Sequence, residues 1–293
     1  MAELIHLSGN TYYIKMPTNI GVYHENDNSV YLIDTGACEN DAKEILDILN
    51  EQGWGIKAVL LTHAHTDHAG GCKYITEQTG CKAYATEAER IFVKHSDIEP
   101  AVVYGSYPCR DFRGRVMNTP ACEVFDIMDC ELSAGFEIFQ LPGHFVDMIG
   151  FKTPDDIYFT ADVVIGEECF RKSPVTYVFD LERQYGALED IKSLQGRLCV
   201  PSHGSPTKGI ESLVEINKNA LKEVENAVLE ALKMPKTCEE ITEMLMSKYN
   251  MNKSFLCFVM VSSAVRAQLT YLRHKGFVEY FFEDERMLWK IGE

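Results

Sequence analysis

Three imidazoles and a carboxylate crowd into six residues, His63 to His68, in the stretch Thr62-His63-Ala64-His65-Thr66-Asp67-His68-Ala69-Gly70-Gly71. The apolar run Lys57–Leu61 ahead of them reads as a buried strand. In extended chain, residues two apart face the same way, so His63 and His65 can reach one ion together. Asp67 and His68 open the next element, point elsewhere, and suit a second ion close by. Imidazole and carboxylate are donors that borderline divalent metals such as zinc accept. Further single donors follow other strand-like runs: Asp34 in Asp-Thr-Gly, His144 in Pro-Gly-His, Asp162 after Ala161, and His203 in Ser-His-Gly. His6, His24, His95 and His274 lack such context and read as ordinary residues.

The elements that must hold these donors are legible from periodicity. Thr11–Lys15, Asn19–Tyr23 and Ser29–Asp34 read as antiparallel strands, the last two joined by a turn at Glu25–Asn28. Asn40–Gln52 is an amphipathic helix with Ala42, Ile45, Leu46, Ile48 and Leu49 on one face. A helix over 71–79, a strand at Lys82–Ala85 and a helical piece from Thr86 to His95 follow the histidine-rich loop. The rest of 86–130 is irregular, with Pro100, Pro108 and Pro120 among aromatic residues. Such a segment inside a domain is either functional or mobile, and the choice here is a lid over the site or a dimer contact. Strands at 135–141, 148–152, 156–160 and 198–201 and a helix over 181–195 complete a mixed α/β region. Every donor therefore sits in a loop at a strand end, where a rigid sheet can aim it.

From about residue 210 the pattern becomes helical: 211–232, then 239–249 opened by the capping box Thr237-Cys238-Glu239-Glu240, then 259–275 stopped by Gly276. Two strands, 277–282 and 287–291, close the chain, and helix, helix, hairpin is the outline of a winged helix. The expected division is 1–209 and 210–293.

Composition excludes several classes. A formal charge of −16 over 293 residues leaves no basic footprint for nucleic acid or an anionic membrane surface. No run approaches the ~20 apolar residues of a membrane span. Residues 1–6 lack a basic region followed by an apolar core, so the expected location is cytoplasmic. The ten cysteines include no Cys-x-x-Cys pair and are expected to be reduced.

Taken together, the strand-end Asp34, the His-x-His-x-Asp-His run, Pro-Gly-His at 142–144, Asp162 and Ser-His-Gly at 202–204 resemble, in order, the motifs of the metallo-β-lactamase-fold hydrolases. The resemblance covers about residues 4–208. It implies a four-layer αββα sandwich with a two-metal site, here followed by a small winged-helix-like domain. By the family pattern His63, His65 and His144 hold one metal, Asp67, His68 and His203 hold the other, and Asp162 bridges both. Asp34 orients ligands from behind, and Asp34, Asp67 and Asp162 are the expected catalytic carboxylates. Two divalent ions ~3.5–4 Å apart let a shared water ionise near neutral pH and attack a carbonyl or phosphoryl centre.

The expected metal is zinc, with iron or manganese as alternatives. Di-iron relatives usually replace the second His of the first motif with a carboxylate, and His65 stands there. Phe145-Val146-Asp147-Met148 departs from the small hydroxylic residue common after the third motif. Arg171 and Lys172, in the loop after Asp162, suit an anionic handle on a small-molecule substrate. A catalytic domain followed by a winged helix also resembles the subgroup that includes β-lactamase-like protein 2, an endoribonuclease. Yet the tail from residue 211 holds 11 basic and 13 acidic residues, a poor nucleic-acid surface. The tail reads instead as a packing or dimerisation module that walls the cleft, with a homodimer as one outcome. The leading reading is a dinuclear zinc hydrolase of a small ester or thioester, glyoxalase II-like, using a metal-bound hydroxide. The alternatives are a phosphodiesterase or endoribonuclease, and a non-catalytic metal-binding regulatory protein.

Overall fold

Alternation along two neighbouring strands sets the layers. In β4 (Ser29–Ile33), Val30 and Leu32 pack against helices, whereas Tyr31 and Ile33 face a second sheet. In β5 (Gly55–Leu60), Val59 takes the helix side and Ala58 and Leu60 the sheet side. A strand buried on both faces has no polar alternation, which is why Ala58–Leu61 reads as one apolar run. The computed structural model describes residues 2–25, 28–113, 117 and 119–292; Asn26 and Asp27 of the expected turn lie outside this set, as do the termini Met1 and Glu293.

The first sheet has the order β1-β2-β3-β4-β5-β6-β7, adding β1 (Glu3–Ser8), β2 (Thr11–Lys15), β3 (Ile20–His24), β6 (Lys82–Ala85) and β7 (Phe125–Asp126). Strands β1 to β4 pair antiparallel, and β4 to β7 pair parallel. Its outer face carries α1 (Glu39–Glu51) and α3 (Cys72–Thr79), through Ala42, Ile45, Leu49, Cys72 and Ile75. Between them in sequence comes the single turn α2 (Thr66–Ala69).

The second sheet has the order β11-β10-β9-β8: β8 (Glu137–Gln140), β9 (Ile149–Lys152), β10 (Ile157–Phe159) and β11 (Leu198–Val200). Ile149, Phe151, Ile157, Phe159 and Val200 meet the first sheet, forming the central core. Its far face is covered by α7 (Leu181–Asp190) and α8 (Ile210–Ala231), through Ala187, Leu188, Ile210 and Val214. The result is the expected αββα sandwich. Because β8 and β10 both run antiparallel to β9, and β11 parallel to β10, the ends of β8, β10 and β11 fall on one edge.

Four elements were not anticipated. Strand β1 pairs only at the sheet margin, and β7 is two residues long. Within the irregular segment, α4 (Glu87–Lys94) is followed by a further helix, α5 (Ile98–Tyr104). The expected loop at 167–172 is α6 (Glu167–Lys172), with acids in its first turn and bases in its last, the charge order a helix dipole favours.

The chain ends in α8, α9 (Cys238–Lys248), α10 (Phe255–His274) and the hairpin β12 (Val278–Glu283) and β13 (Arg286–Ile291). The capping box is formed: Thr237 Oγ1 accepts from Glu240 N, and Thr237 N donates to Glu240 Oε2. Against the expectation that no run is apolar enough, α10 has the length and hydropathy to cross a membrane, the one such helix among the described residues. It is instead the central helix of this unit, with Val261, Ala264, Val265, Leu269 and Leu272 buried against α8 and α9.

Candidate metal centre

Strand ends of both sheets deliver the donors to one place. Asp34 follows β4, His63 follows β5 and His65, Asp67 and His68 lead into and through α2. From the second sheet, His144 follows β8, Asp162 follows β10 and His203 follows β11. The two sheets are joined at this edge by Ile149 N donating to Thr62 O at 3.0 Å. Asn19 adds a second tie, its N donating to Ser202 O at 2.7 Å and its Nδ2 to Pro201 O and Gly204 O.

Gly70 and Gly71 are required by close packing of the Asp34–Ala37 loop on the histidine-rich loop. A Cβ on Gly70 would lie 2.2 Å from Ala37 O, and one on Gly71 2.3 Å from Thr35 O. That packing lets Thr35 N and Oγ1 both donate to His68 O at 2.7 Å.

The donor atoms form three overlapping groups: His63, His65 and His144; His63, His68 and Asp162; and Asp67, His68 and His203. Within each, one ligand atom per residue lies within 4.8 Å of the others. His65 Nδ1 stands 3.1 Å from His63 Nε2 and 3.0 Å from His144 Nε2. Asp162 lies between groups, with Oδ1 3.5 Å from His68 Nε2 and Oδ2 3.6 and 3.4 Å from His144 and His203 Nε2. Asp67 Oδ2 is 3.0 Å from His203 Nε2.

Outer contacts fix which nitrogen points inward. Asp34 Oδ2 accepts from His68 Nδ1 at 2.8 Å, and His203 Nδ1 donates to Pro17 O at 3.0 Å. Both rings therefore present Nε2 to the centre, the arrangement by which second-layer partners orient metal-ligating histidines. Asp34 is itself held by Thr62 N at 2.8 Å and Thr62 Oγ1 at 2.9 Å. It sits in the left-handed region (φ 65°), a conformation Asp tolerates and one that collects at functional sites.

The donor set fits divalent cations. His68 Nε2 and Asp162 Oδ1 are buried, make no hydrogen bond and face each other at 3.5 Å, a costly arrangement for polar atoms that an ion would relieve. Protonation follows the same division. Burial pushes His63 well below the ordinary imidazole range, His65 down to about 3, and His144 down. Burial also opposes charge on His68 and His203, but Asp162 and Asp67 outweigh it, raising His68 well above its usual range and His203 to about 12. Those carboxylates hold protons on the two imidazoles in the bare protein, in the place where a divalent cation would fit.

Two buried acids escaped the sequence reading. Glu89 is fully buried; its Oε2 accepts from Ala64 N at 2.9 Å and its Oε1 from Asp147 N at 2.8 Å. One carboxyl group thus ties the His63–His65 loop to the loop after His144. Burial raises its pKa to about 8. Glu99, from α5, puts Oε1 3.7 Å from His65 Nε2, and burial raises its pKa well above the carboxylate range. The signal for Glu89 was present: it shares a helix face with Val93, one turn on in α4, where a charged residue is out of place.

The centre opens into a cleft of about 420 Å³. The irregular segment contributes Glu99 and Val103 to its wall, and α8 and α10 contribute Asn217, Leu221 and Met260. Lys172 lines the cleft, whereas Arg171 turns to Glu167 at 2.8 Å, so the expected cationic pair is a single cation. Asp147 acts through its backbone, with N bound to Glu89 and O accepting from Thr86 Oγ1.

Residues 13–203 match the family model described as the metallo-beta-lactamase superfamily. The chain belongs to that superfamily. Among curated relatives, a hydroxyacylglutathione hydrolase of Cereibacter sphaeroides is 28% identical over 153 residues, 50% of this chain and 51% of the relative. The atrochrysone carboxyl ACP thioesterase of Aspergillus fumigatus is 28% identical over 208 residues, 69% of this chain and 55% of the relative. The chain thus spans about half the length of these curated relatives. A beta-lactamase domain protein from Burkholderia ambifaria superposes with a TM-score of 0.75 at 14% identity, covering 99% of this chain and 94% of the other. That match extends the shared fold through the C-terminal helices and hairpin.

Proposed function

We propose that the chain is a hydrolase of small esters or thioesters that works with two divalent ions, zinc in the native protein. His63, His65 and His144 hold one ion, Asp67, His68 and His203 the other, and Asp162 both. The observation that carries this reading is the convergence of these donors around two buried atoms that make no hydrogen bond and face each other at 3.5 Å, His68 Nε2 and Asp162 Oδ1. Bound there, two such ions supply an acidified water and an electrophile for the carbonyl oxygen.

The chain's own residues do the rest. Asp34 keeps His68 in the tautomer that faces the centre, and Glu89 holds the two histidine-bearing loops at a fixed separation. Asp67, whose side chain is 42% exposed, lines the cleft together with Asp162 and stands 3.0 Å from His203 Nε2. Tyr177 packs edge-on against His65, ring centroids 5.5 Å apart, and keeps bulk water from that side. Lys172 meets an anionic part of the substrate.

Thioesters are favoured over phosphodiesters because the two named relatives are a hydroxyacylglutathione hydrolase and an ACP thioesterase, and because the cleft holds one lysine among several acids. The test is turnover of an acyl-glutathione thioester and of bis(p-nitrophenyl) phosphate by zinc-loaded and metal-stripped protein. Zinc-dependent thioester cleavage is the expected result; zinc-dependent cleavage of the phosphodiester alone overturns it in favour of a phosphodiesterase.

A further inference from the structure

The cleft is lined by two kinds of side chain. One is the donor cluster. The other is apolar and comes from parts of the chain far apart in sequence: Val103 of α5, Ile165 and Phe170 around the start of α6, Leu221 of α8 and Met260 of α10. Val103 and Leu221 line the cleft while remaining almost wholly buried, at 6% and 7% exposure. The join between α6 and α8 is held by a bidentate contact. Asn217 Oδ1 accepts from Ile165 N at 3.0 Å, and Asn217 Nδ2 donates to Ile165 O at 2.9 Å. A buried amide spent on fixing one backbone unit makes this wall rigid rather than an accidental gap between units. The volume, about 420 Å³, lies in the range of small-ligand sites.

Resting on the ester or thioester reading above, we infer that this apolar lining forms an acyl pocket and that the substrate is an ester or thioester of a medium-length aliphatic acid. Apolar walls continuous with a hydrolytic centre select for the apolar part of the molecule being cleaved. The C-terminal unit then belongs to specificity, because Leu221 and Met260 form one side of the pocket. Cleavage is ordinary hydrolysis: water adds to the acyl carbon, the carbon–sulfur or carbon–oxygen bond breaks, and the carboxylate and the thiol or alcohol leave with the proton.

The test uses one small thiol, N-acetylcysteamine, esterified with acetyl, butanoyl, hexanoyl and octanoyl groups, and zinc-loaded full-length protein. Each methylene that enters the pocket is expected to raise kcat/KM about fourfold, giving on the order of 10²-fold from acetyl to hexanoyl. Leu221→Gln and Met260→Gln should each reduce the hexanoyl-to-acetyl ratio about tenfold. A second measurement needs no turnover: binding of acetate, hexanoate and octanoate to the zinc-loaded protein by calorimetry should tighten with chain length. Thioester cleavage with no chain-length dependence overturns the acyl pocket and leaves the hydrolase reading standing. Graded binding of the carboxylates without cleavage of any thioester supports the pocket and overturns the thioester reading. Equal binding of all three acids overturns the pocket whatever the turnover.

Discussion

Around His65 the centre consists of three largely buried imidazoles; around Asp67 it consists of two imidazoles facing two carboxylates. The first group loses its protons to burial and presents neutral nitrogens, as metal ligation demands. The second keeps its protons because Asp67 and Asp162 stabilise imidazolium more than burial penalises it. The carboxylates therefore make the two sites unequal. One is ready for a cation, and the other must exchange protons for one.

Removing the residue that lies between the two groups should have the largest effect. Asp162→Ala is expected to lower metal content and to cut kcat/KM on the order of 10³-fold; full metal loading with normal turnover would remove Asp162 from the bridging place. Asp34→Asn, which leaves the shape but weakens the hold on His68 Nδ1, should cost about 10–100-fold in affinity for the second equivalent of zinc. The first equivalent should be nearly untouched, and equal losses at both would erase the distinction between groups.

Acidity sharpens the comparison further. Between pH 8 and 6, the second equivalent should bind progressively more weakly and release protons on binding, as His68 and His203 give them up. The first should change little. Competition titrations with buffers of different ionisation enthalpy read both quantities, and identical proton counts for the two equivalents would contradict the assignment. Glu89→Ala removes the tie between the two loops and should destabilise the fold by about 1–3 kcal/mol by leaving Ala64 N and Asp147 N unpaired. Lys172→Ala should be mildest, raising KM for an anionic thioester no more than about fivefold with kcat unchanged.

The two regions also differ in how much of them the sequence discloses. The donors at 63–68, 144, 162 and 203 are legible because strand, turn and donor are contiguous in the chain, so local periodicity places each one at a sheet end. Asp34 is legible for the same reason. Glu89 and Glu99 are not, since their significance lies in contacts 25 to 58 residues away (Glu89 with Ala64 and Asp147) or across the cleft (Glu99 with His65). The wall of the cleft is harder still. Val103, Leu221 and Met260 each look like ordinary core residues of their own helices, and only packing brings their tips to one surface. For the same reason the sequence reads 86–130 only as a lid or a dimer contact, whereas the fold shows that its helix α5 supplies Glu99 and Val103 to the wall of the cleft. The turn α6 went unread because its six residues, four of them charged, carry no apolar stripe.

The tie made by Asn19 has a consequence for how the molecule comes into being. Its side chain bonds Pro201 and Gly204, 182 and 185 residues further along, and donors from both sheets meet only when that edge closes. A nascent chain can complete β1 to β6 locally, but it cannot assemble the donor cluster until His203 has emerged. Contacts of such long range form slowly, because loop closure must precede any gain from them. Acquisition of metal-binding capacity during refolding should therefore lag behind secondary structure, making the bound ion a clock for the last step of folding.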